Sequence, residues 1–320
     1  MISTAGPVVV THELTKRYGE FTALNSLSFM LDRGQILGFI GPNGAGKTTT
    51  IKILVGLMRP TSGSASIAGA DCVRDARRIK RLVGFMPDTF GSYDNMRVRE
   101  YLDFFGAAFG IGRRERTRRI DEVLDTTGST YMRDRYVESL SHGMKQRIGV
   151  ARTLLHDPDV LILDEPANGL DPQARIEMRD LLLKLADMGK TLIVTSHILP
   201  ELSRICNVVA IMTKGTLRAF GTLDQIMQAI RQRRTFEVQL VEGGKAEEVA
   251  AAVTTGLDES EQRSVVAHEA EAVVRFQTSR PDADLTELLG GLVRANLGVA
   301  QFREVPTDLE DAFLTVTRES

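Results

Sequence analysis

The stretch Gly41-Pro42-Asn43-Gly44-Ala45-Gly46-Lys47-Thr48-Thr49 constrains this chain more than any other. It fits the GxxxxGK[ST] pattern and lies between an apolar run, Gln35 to Ile40, that reads as a strand and a helix candidate at Thr48 to Leu57. A glycine-rich turn in that context lets consecutive backbone N–H groups curl around phosphate oxygens. Lys47 would reach the β and γ phosphates and the Thr48 hydroxyl would ligate Mg2+. The helix that starts there turns its positive end toward the anion.

The surrounding pattern is α/β. Strand-like segments occur at Ala23 to Leu31, Ile67-Ala68, Val83 to Met86, Val160 to Leu163, Thr191 to Val194 and Val208 to Met212. Several are short unbroken apolar runs, as expected for strands buried on both faces of a mixed or parallel sheet. Helix candidates lie at Met144 to Leu155, Pro172 to Ala186 and Leu199 to Ile205. From Arg99 to His156 the strand signal disappears, which predicts a helical insert between two strands. The insert and the segment leading into it carry Phe85, Phe90, Tyr93, Tyr101, Phe104, Phe105, Phe109, Tyr131 and Tyr136, nine of the chain's 13 Phe and 5 Tyr. They serve either the core of a small helical subdomain or a docking groove. The run from Arg113 to Arg119 reads as a solvated helix face rather than a lipid or nucleic-acid patch.

A second acidic motif, Val160-Leu161-Ile162-Leu163-Asp164-Glu165-Pro166, is an apolar strand ending in two carboxylates. Asp164 can hold the hydration shell of Mg2+, and Glu165 can polarise the water that attacks the γ-phosphate. Alone the signal is weak, because a helix N-terminus after a strand also favours Asp and Glu.

Composition narrows the class. The 320 residues, 42% hydrophobic and 26% charged, exceed the usual size of one domain and match no disordered or fibrous composition. Forty Lys+Arg against 42 Asp+Glu leave a net charge of −2, so no global field draws the chain onto nucleic acid. Cys72 and Cys206 form neither a CxxC pair nor a zinc-binding pattern, which reads as a reducing compartment. No secretory leader is apparent and no apolar stretch is long enough to span a bilayer, so a membrane function is expected to act from outside the bilayer.

Further residues carry a resemblance to a family. Ser139-Leu140-Ser141-His142-Gly143-Met144-Lys145-Gln146-Arg147 resembles the LSGGQ signature of ATP-binding cassette (ABC) ATPases. Asn168-Gly169-Leu170-Asp171 is similar to their D-loop, Thr195-Ser196-His197 to their switch-histidine segment, and Tyr18 to the aromatic on which they stack adenine. These motifs occur in family order over about residues 8 to 230. The resemblance implies ATP and Mg2+ as ligands. It implies Tyr18, the loop from Gly41 to Thr49, Asp88, Ser141, Gly143 and Asp171 as nucleotide contacts. Thr48, Asp88 and Asp164 would be metal ligands, and Lys47, Glu165 and His197 the catalytic groups. In the family, Ser141 and Gly143 of one cassette complete the ATP site of the facing cassette, so a dimer of two copies or of relatives follows. Two departures stand out. His142 and Met144 replace a glycine and a glutamine of the signature, and Asp88, in Val83-Gly84-Phe85-Met86-Pro87-Asp88, stands where the family usually has a glutamine. Asp88 would reach the metal after loop adjustment or through water, or would instead cap a loop.

The resemblance also implies an ATPase engine at the cytoplasmic face of the cell membrane, driving a separate permease of the exporter branch. The alternative is a soluble ABC ATPase acting on ribosomes or DNA. Lys47 and Asp164 are only 117 residues apart, a single cassette is present and cysteines are too few for zinc modules, all of which favour the transporter. The expected domains are residues 1–230, with a helical subdomain at about 88–156, and 231–320. The second follows the basic run Arg231-Gln232-Arg233-Arg234 and has the order βαββαβ: Phe236 to Leu240, Ala246 to Val253, Val265 to His268, Ala272 to Phe276, Asp284 to Ala295 and Ala300 to Val305. That order predicts a ferredoxin-like α+β accessory domain. A last helix is expected at Asp308 to Thr317. The segment Asp308 to Leu314, with Gly84 to Tyr101 and Ser196 to Glu201, resembles the exporter branch.

Overall fold

The structure, a computed structural model, describes residues 6–89, 91, 95–196, 202, 204–226 and 234–305. The chain divides into two compact units, one reaching Leu223 and the other beginning at Asp224. The expected helix over Asp308 to Thr317, most of Leu199 to Ile205, the residues Phe90 and Tyr93, and His197 lie outside the described residues.

The first unit holds two sheets. Strands β1 (Val9–Tyr18), β2 (Phe21–Leu31), β4 (Ser62–Ile67) and β5 (Ala70–Asp71) form an antiparallel sheet in the order β2-β1-β4-β5. The other sheet runs β10-β9-β3-β8-β7-β6, from β3 (Ile36–Ile40), β6 (Val83–Met86), β7 (Val160–Leu163), β8 (Thr191–Ser196), β9 (Val208–Thr213) and β10 (Thr216–Thr222). All its neighbours are parallel except β9 and β10. Every residue of β3, β7, β8 and β9 is buried, which is why these strands read as unbroken apolar runs. Helix α1 (Lys47–Leu54) contributes Ile51, Ile53 and Leu54 to a core that also holds Leu14, Leu24, Leu27, Phe29, Phe39, Ile67 and Met212. Phe29 meets Phe39 edge-on with centroids 5.4 Å apart, joining the two sheets.

Helix α2 (Ala76–Leu82) leads into β6, and the helical insert falls between β6 and β7. It consists of α3 (Val98–Ala108), α4 (Arg113–Thr126), turns at Thr130–Met132 and Val137–Ser139, and α5 (His142–Leu154). Its aromatics divide between interior and surface. Tyr101 is fully buried and its hydroxyl accepts a hydrogen bond from Arg152 at 3.1 Å, whereas Phe104, Phe109, Tyr131 and Tyr136 are exposed. Arg116 pairs with Asp103, Arg118 with Glu115 and Arg119 with Glu122, so three arginines of the basic run are committed to neighbouring carboxylates. Helix α6 (Pro172–Asp187) follows β7.

The second unit carries β11 (Arg234–Leu240), a helix at Ala246–Gly256, β12 (Val266–His268), β13 (Val273–Thr278), a helix at Asp282–Arg294 and β14 (Val299–Val305). The sheet order is β12-β13-β11-β14 and every pairing is antiparallel, the split βαβ topology of the ferredoxin-like arrangement. Phe236, Val238, Val274 and Phe276 pack with Val249, Val253, Leu285 and Leu292 of the two helices into a core of its own.

Candidate functional site

Because β3, β6, β7, β8 and β9 are parallel, the loops that leave them emerge at one edge of the sheet, where open α/β sheets bind ligands. The loop after β3 is Gly41 to Gly46, β6 leads to Asp88, β7 to Asp164 and Glu165, and β8 ends at Ser196. Strand β8 lies between β3 and β7, so the phosphate loop and the acids are two interstrand spacings apart, roughly 9–10 Å. A lysine side chain spans most of that gap.

Two glycines shape the loop. Gly46 precedes α1 with φ 105°, and a Cβ there would meet Leu24 Cδ2 at 2.7 Å and Ala23 O at 2.9 Å. A Cβ on Gly41 would collide with the Met212 carbonyl. The turn after β9 braces the loop as well, because the Gly215 N–H donates to Ala45 O at 3.0 Å. Pro42, Asn43, Gly44 and Thr48 form the exposed side of the loop, while Thr49 is half-buried. Lys47 is 7% exposed, and its ammonium donates to the carbonyls of Gly41 and Pro42. Burial lowers the Lys47 pKa from the usual lysine value, while the charges of Glu165 and Asp164 act in the opposite sense. The parallel strand order places the loop and both acids at one edge of the sheet.

Asp164 is 6% exposed and its N–H donates to Met86 O at 2.8 Å, extending the β6–β7 pairing by one step. Thr195, fully buried near the end of β8, donates its hydroxyl to Asp164 Oδ1 at 2.6 Å and accepts the Glu165 N–H at 2.8 Å. Glu165 has φ 53°, a left-handed backbone that non-glycine residues adopt at a cost. Thr195 belongs to no motif in the sequence other than the switch segment Thr195-Ser196-His197. The available signal is a hydroxyl inside the strand Thr191–Ser196, whose six residues are all buried.

The signature residues lie elsewhere in the unit. Ser141 caps α5, its hydroxyl accepting the Met144 N–H at 3.3 Å, and a Cβ on Gly143 would approach Ala174 of α6 at 3.1 Å. Helix α5 packs on α3, α4 and β6, whereas the phosphate loop packs on Leu24 of β2 and Met212 of β9. His142 Nε2 contacts Asn168 O at 2.9 Å, and the Asn168 N–H donates to Glu165 O at 3.1 Å. Asn168 Nδ2 donates to Asp88 Oδ1 at 3.4 Å. Asp88 is exposed. Asp171 caps α6, accepting the Ala174 N–H at 2.9 Å. Tyr18, 48% exposed at the end of β1, donates to Met58 Sδ at 3.0 Å, and the Lys16 ammonium lies 5.1 Å from its ring centroid. His197 lies outside the described residues.

A glycine-shaped loop between a buried parallel strand and a helix, facing two carboxylates at the end of a nearby strand, defines a P-loop nucleotide-binding protein. The profile of the ABC transporter family matches residues 24–168. The bacitracin transport ATP-binding protein BcrA of Bacillus licheniformis is 40% identical over 240 residues, 75% of this chain and 77% of BcrA. The Nod factor export ATP-binding protein I of Cupriavidus metallidurans is 32% identical over 310 residues, 97% of each chain. The chain also spans 64% of an uncharacterised ABC transporter ATP-binding protein of Synechocystis sp., at 38% identity over 69% of its own length. Among solved structures, an ATP-binding subunit of an ABC transporter superposes with a TM-score of 0.63 at 30% identity, covering 70% of this chain and 93% of that one. The chain belongs to the ABC transporter ATP-binding proteins, a family of ATP-binding cassette ATPases.

Proposed function

We propose that this chain hydrolyses ATP as one of a pair of cassettes and that closure of the pair drives a separate membrane-embedded permease in an export system. The observation that carries the reading is the convergence of Lys47, Asp164 and Glu165 at one edge of the parallel sheet. The names of relatives that transport bacitracin or export Nod factor support the export direction.

Loop N–H groups and Lys47 bind the phosphates, and Glu165 polarises the attacking water. The donor set fits Mg2+: the Thr48 hydroxyl and the Asp164 carboxylate are hard oxygen donors of a site that the substrate phosphates complete. Among the described residues no group of three or more His, Cys, Asp or Glu is arranged to hold a metal ion by itself. When bound, the metal neutralises charge on the phosphate oxygens. Asp88 would join the metal through water, His197 would sense the γ-phosphate, Tyr18 would stack on adenine, and Asp171 would act at the paired interface. Ser141 and Gly143, at the N-terminus of α5 beside Ala174 of α6, suit completion of the partner cassette's site.

The exposed Phe104, Phe109, Tyr131 and Tyr136 suit a permease contact, which would hold the chain at the inner face of the membrane. Residues 231–320 act as an accessory domain that stabilises or regulates the pair. Glu165→Gln should abolish hydrolysis and accumulate an ATP-bound dimer, read by steady-state ATPase and size-exclusion chromatography. Turnover at the wild-type rate would remove Glu165 from its role.

A further inference from the structure

We propose that Thr195 is a positioning residue that sets both acids of the site through a single hydroxyl. The hydroxyl has one proton and two lone pairs. The proton goes to Asp164 Oδ1 at 2.6 Å, and a lone pair receives the Glu165 N–H at 2.8 Å. Thr195 is 0% exposed and Asp164 6% exposed, so water does not readily replace either bond. The β-branched side chain is restricted at χ1, which aims the hydroxyl from β8 toward the end of β7.

Each bond has its own consequence. The bond to Oδ1 fixes the Asp164 carboxylate and leaves Oδ2 to face the metal shell, as outer-sphere partners do for metal-ligating carboxylates. The bond from the Glu165 N–H holds that residue at φ 53°, a backbone that needs such a partner to persist and that determines where its side chain starts. Thr195 therefore couples the placement of the metal-side acid to that of the water-polarising acid without touching substrate. This inference rests on reading Glu165 as the group that acts on the attacking water.

The test uses the purified full chain with Thr195→Val, which keeps shape and removes the hydroxyl, and Thr195→Ser, which keeps the hydroxyl. Thr195→Val should lower kcat by about 10- to 100-fold and raise the Mg2+ concentration needed for half-maximal rate. Its affinity for trinitrophenyl-ATP measured without Mg2+ should stay within about two-fold of wild type, because Lys47 and the phosphate loop are untouched. Thr195→Ser should restore kcat and the Mg2+ dependence to within about three-fold. Wild-type kcat and Mg2+ dependence in Thr195→Val would overturn the proposal. So would a Thr195→Ser chain as impaired as the valine one, since packing of the methyl group would then be the cause. If the valine chain does not accumulate folded, Thr195→Ala carries the same expectations. Glu165→Gln assayed in parallel separates the two ideas. A dead Glu165→Gln beside an active Thr195→Val discards only the positioning role. A Glu165→Gln chain that still hydrolyses discards the Glu165 half of the proposal together with the function it rests on, and the Mg2+ dependence then judges the Asp164 half.

Discussion

Asp88 and His142 occupy positions where the family pattern has other residues, and both reach Asn168, one through its side-chain amide at 3.4 Å and the other through its carbonyl at 2.9 Å. Residues that share a partner do not act independently. Asp88→Gln and His142→Gly, assayed singly and together for ATPase rate, should deviate from additivity by about 0.5–1.5 kcal/mol, at the low end of contact couplings because both groups are exposed. Additive effects would show that the two contacts are energetically separate. At this scale the phosphate loop was legible because its residues are contiguous and each backbone requirement writes a glycine into the sequence. The bridge from Thr195 to Asp164 was not, because it depends on β7 and β8 lying side by side with donor and acceptor 31 positions apart in sequence.

Elements with uniform burial were legible to within a few residues. The strands Val83–Met86 and Val160–Leu163 coincide with their apolar runs, and α6 begins at Pro172 where Asp171 caps it. Strand β1 escaped because its alternation is broken: Glu13 has φ 47°, and the pairing with β2 shifts register between Thr11 and Leu14 and again between Leu14 and Lys16. Strand β4 was legible only at its end, Ile67, because its outer half, Ser62 to Ser64, is small, polar and exposed. In the second unit β11 places Glu237, 2% exposed, between Arg275 of β13 and Arg303 of β14. Burial alone would raise its pKa, but the hydrogen bonds from Arg303 and Arg275 outweigh that and lower it. A carboxylate with a lowered folded pKa contributes stability above the ordinary glutamate range and loses it as pH falls through the folded value. Glu237→Gln should therefore destabilise the sheet by about 1–2 kcal/mol at neutral pH, a figure reduced because both arginines are about half exposed. The gap to wild type should close in acid. Hydrogen exchange of β11 and β13 amides against pH measures both, and a pH-independent difference would point to packing rather than charge.

At the scale of the molecule, each unit has its own hydrophobic core, one built on β3 and α1 and the other on β11 and its two helices. Removal of residues 236–320 should leave a folded cassette that binds ATP with affinity within about three-fold of the full chain, read by fluorescent nucleotide titration and circular dichroism. An unfolded remainder would show that the second core supports the first. The split into a nucleotide unit and a βαββαβ unit was legible because the strand order changes character along the chain. The line between them was less so, since the compact units divide after Leu223 and residues 227–233 lie outside the described residues.

The central strand β3 takes both its neighbours from much later in the chain, Ile36 aligning with Leu192 and Leu37 with Val208, and the loop it carries leans on Met212 and Gly215. On a ribosome, where synthesis runs from the N-terminus, residues 41–49 emerge long before anything that gives them shape. The nucleotide-binding loop is thus among the first parts of the cassette to be made and among the last to become competent. ATP in the surrounding solution stabilises the finished cassette by mass action but has nothing to grip on the growing one. Folding of this chain up to that point must depend on the antiparallel sheet and the helical insert, whose contacts close over shorter stretches of sequence.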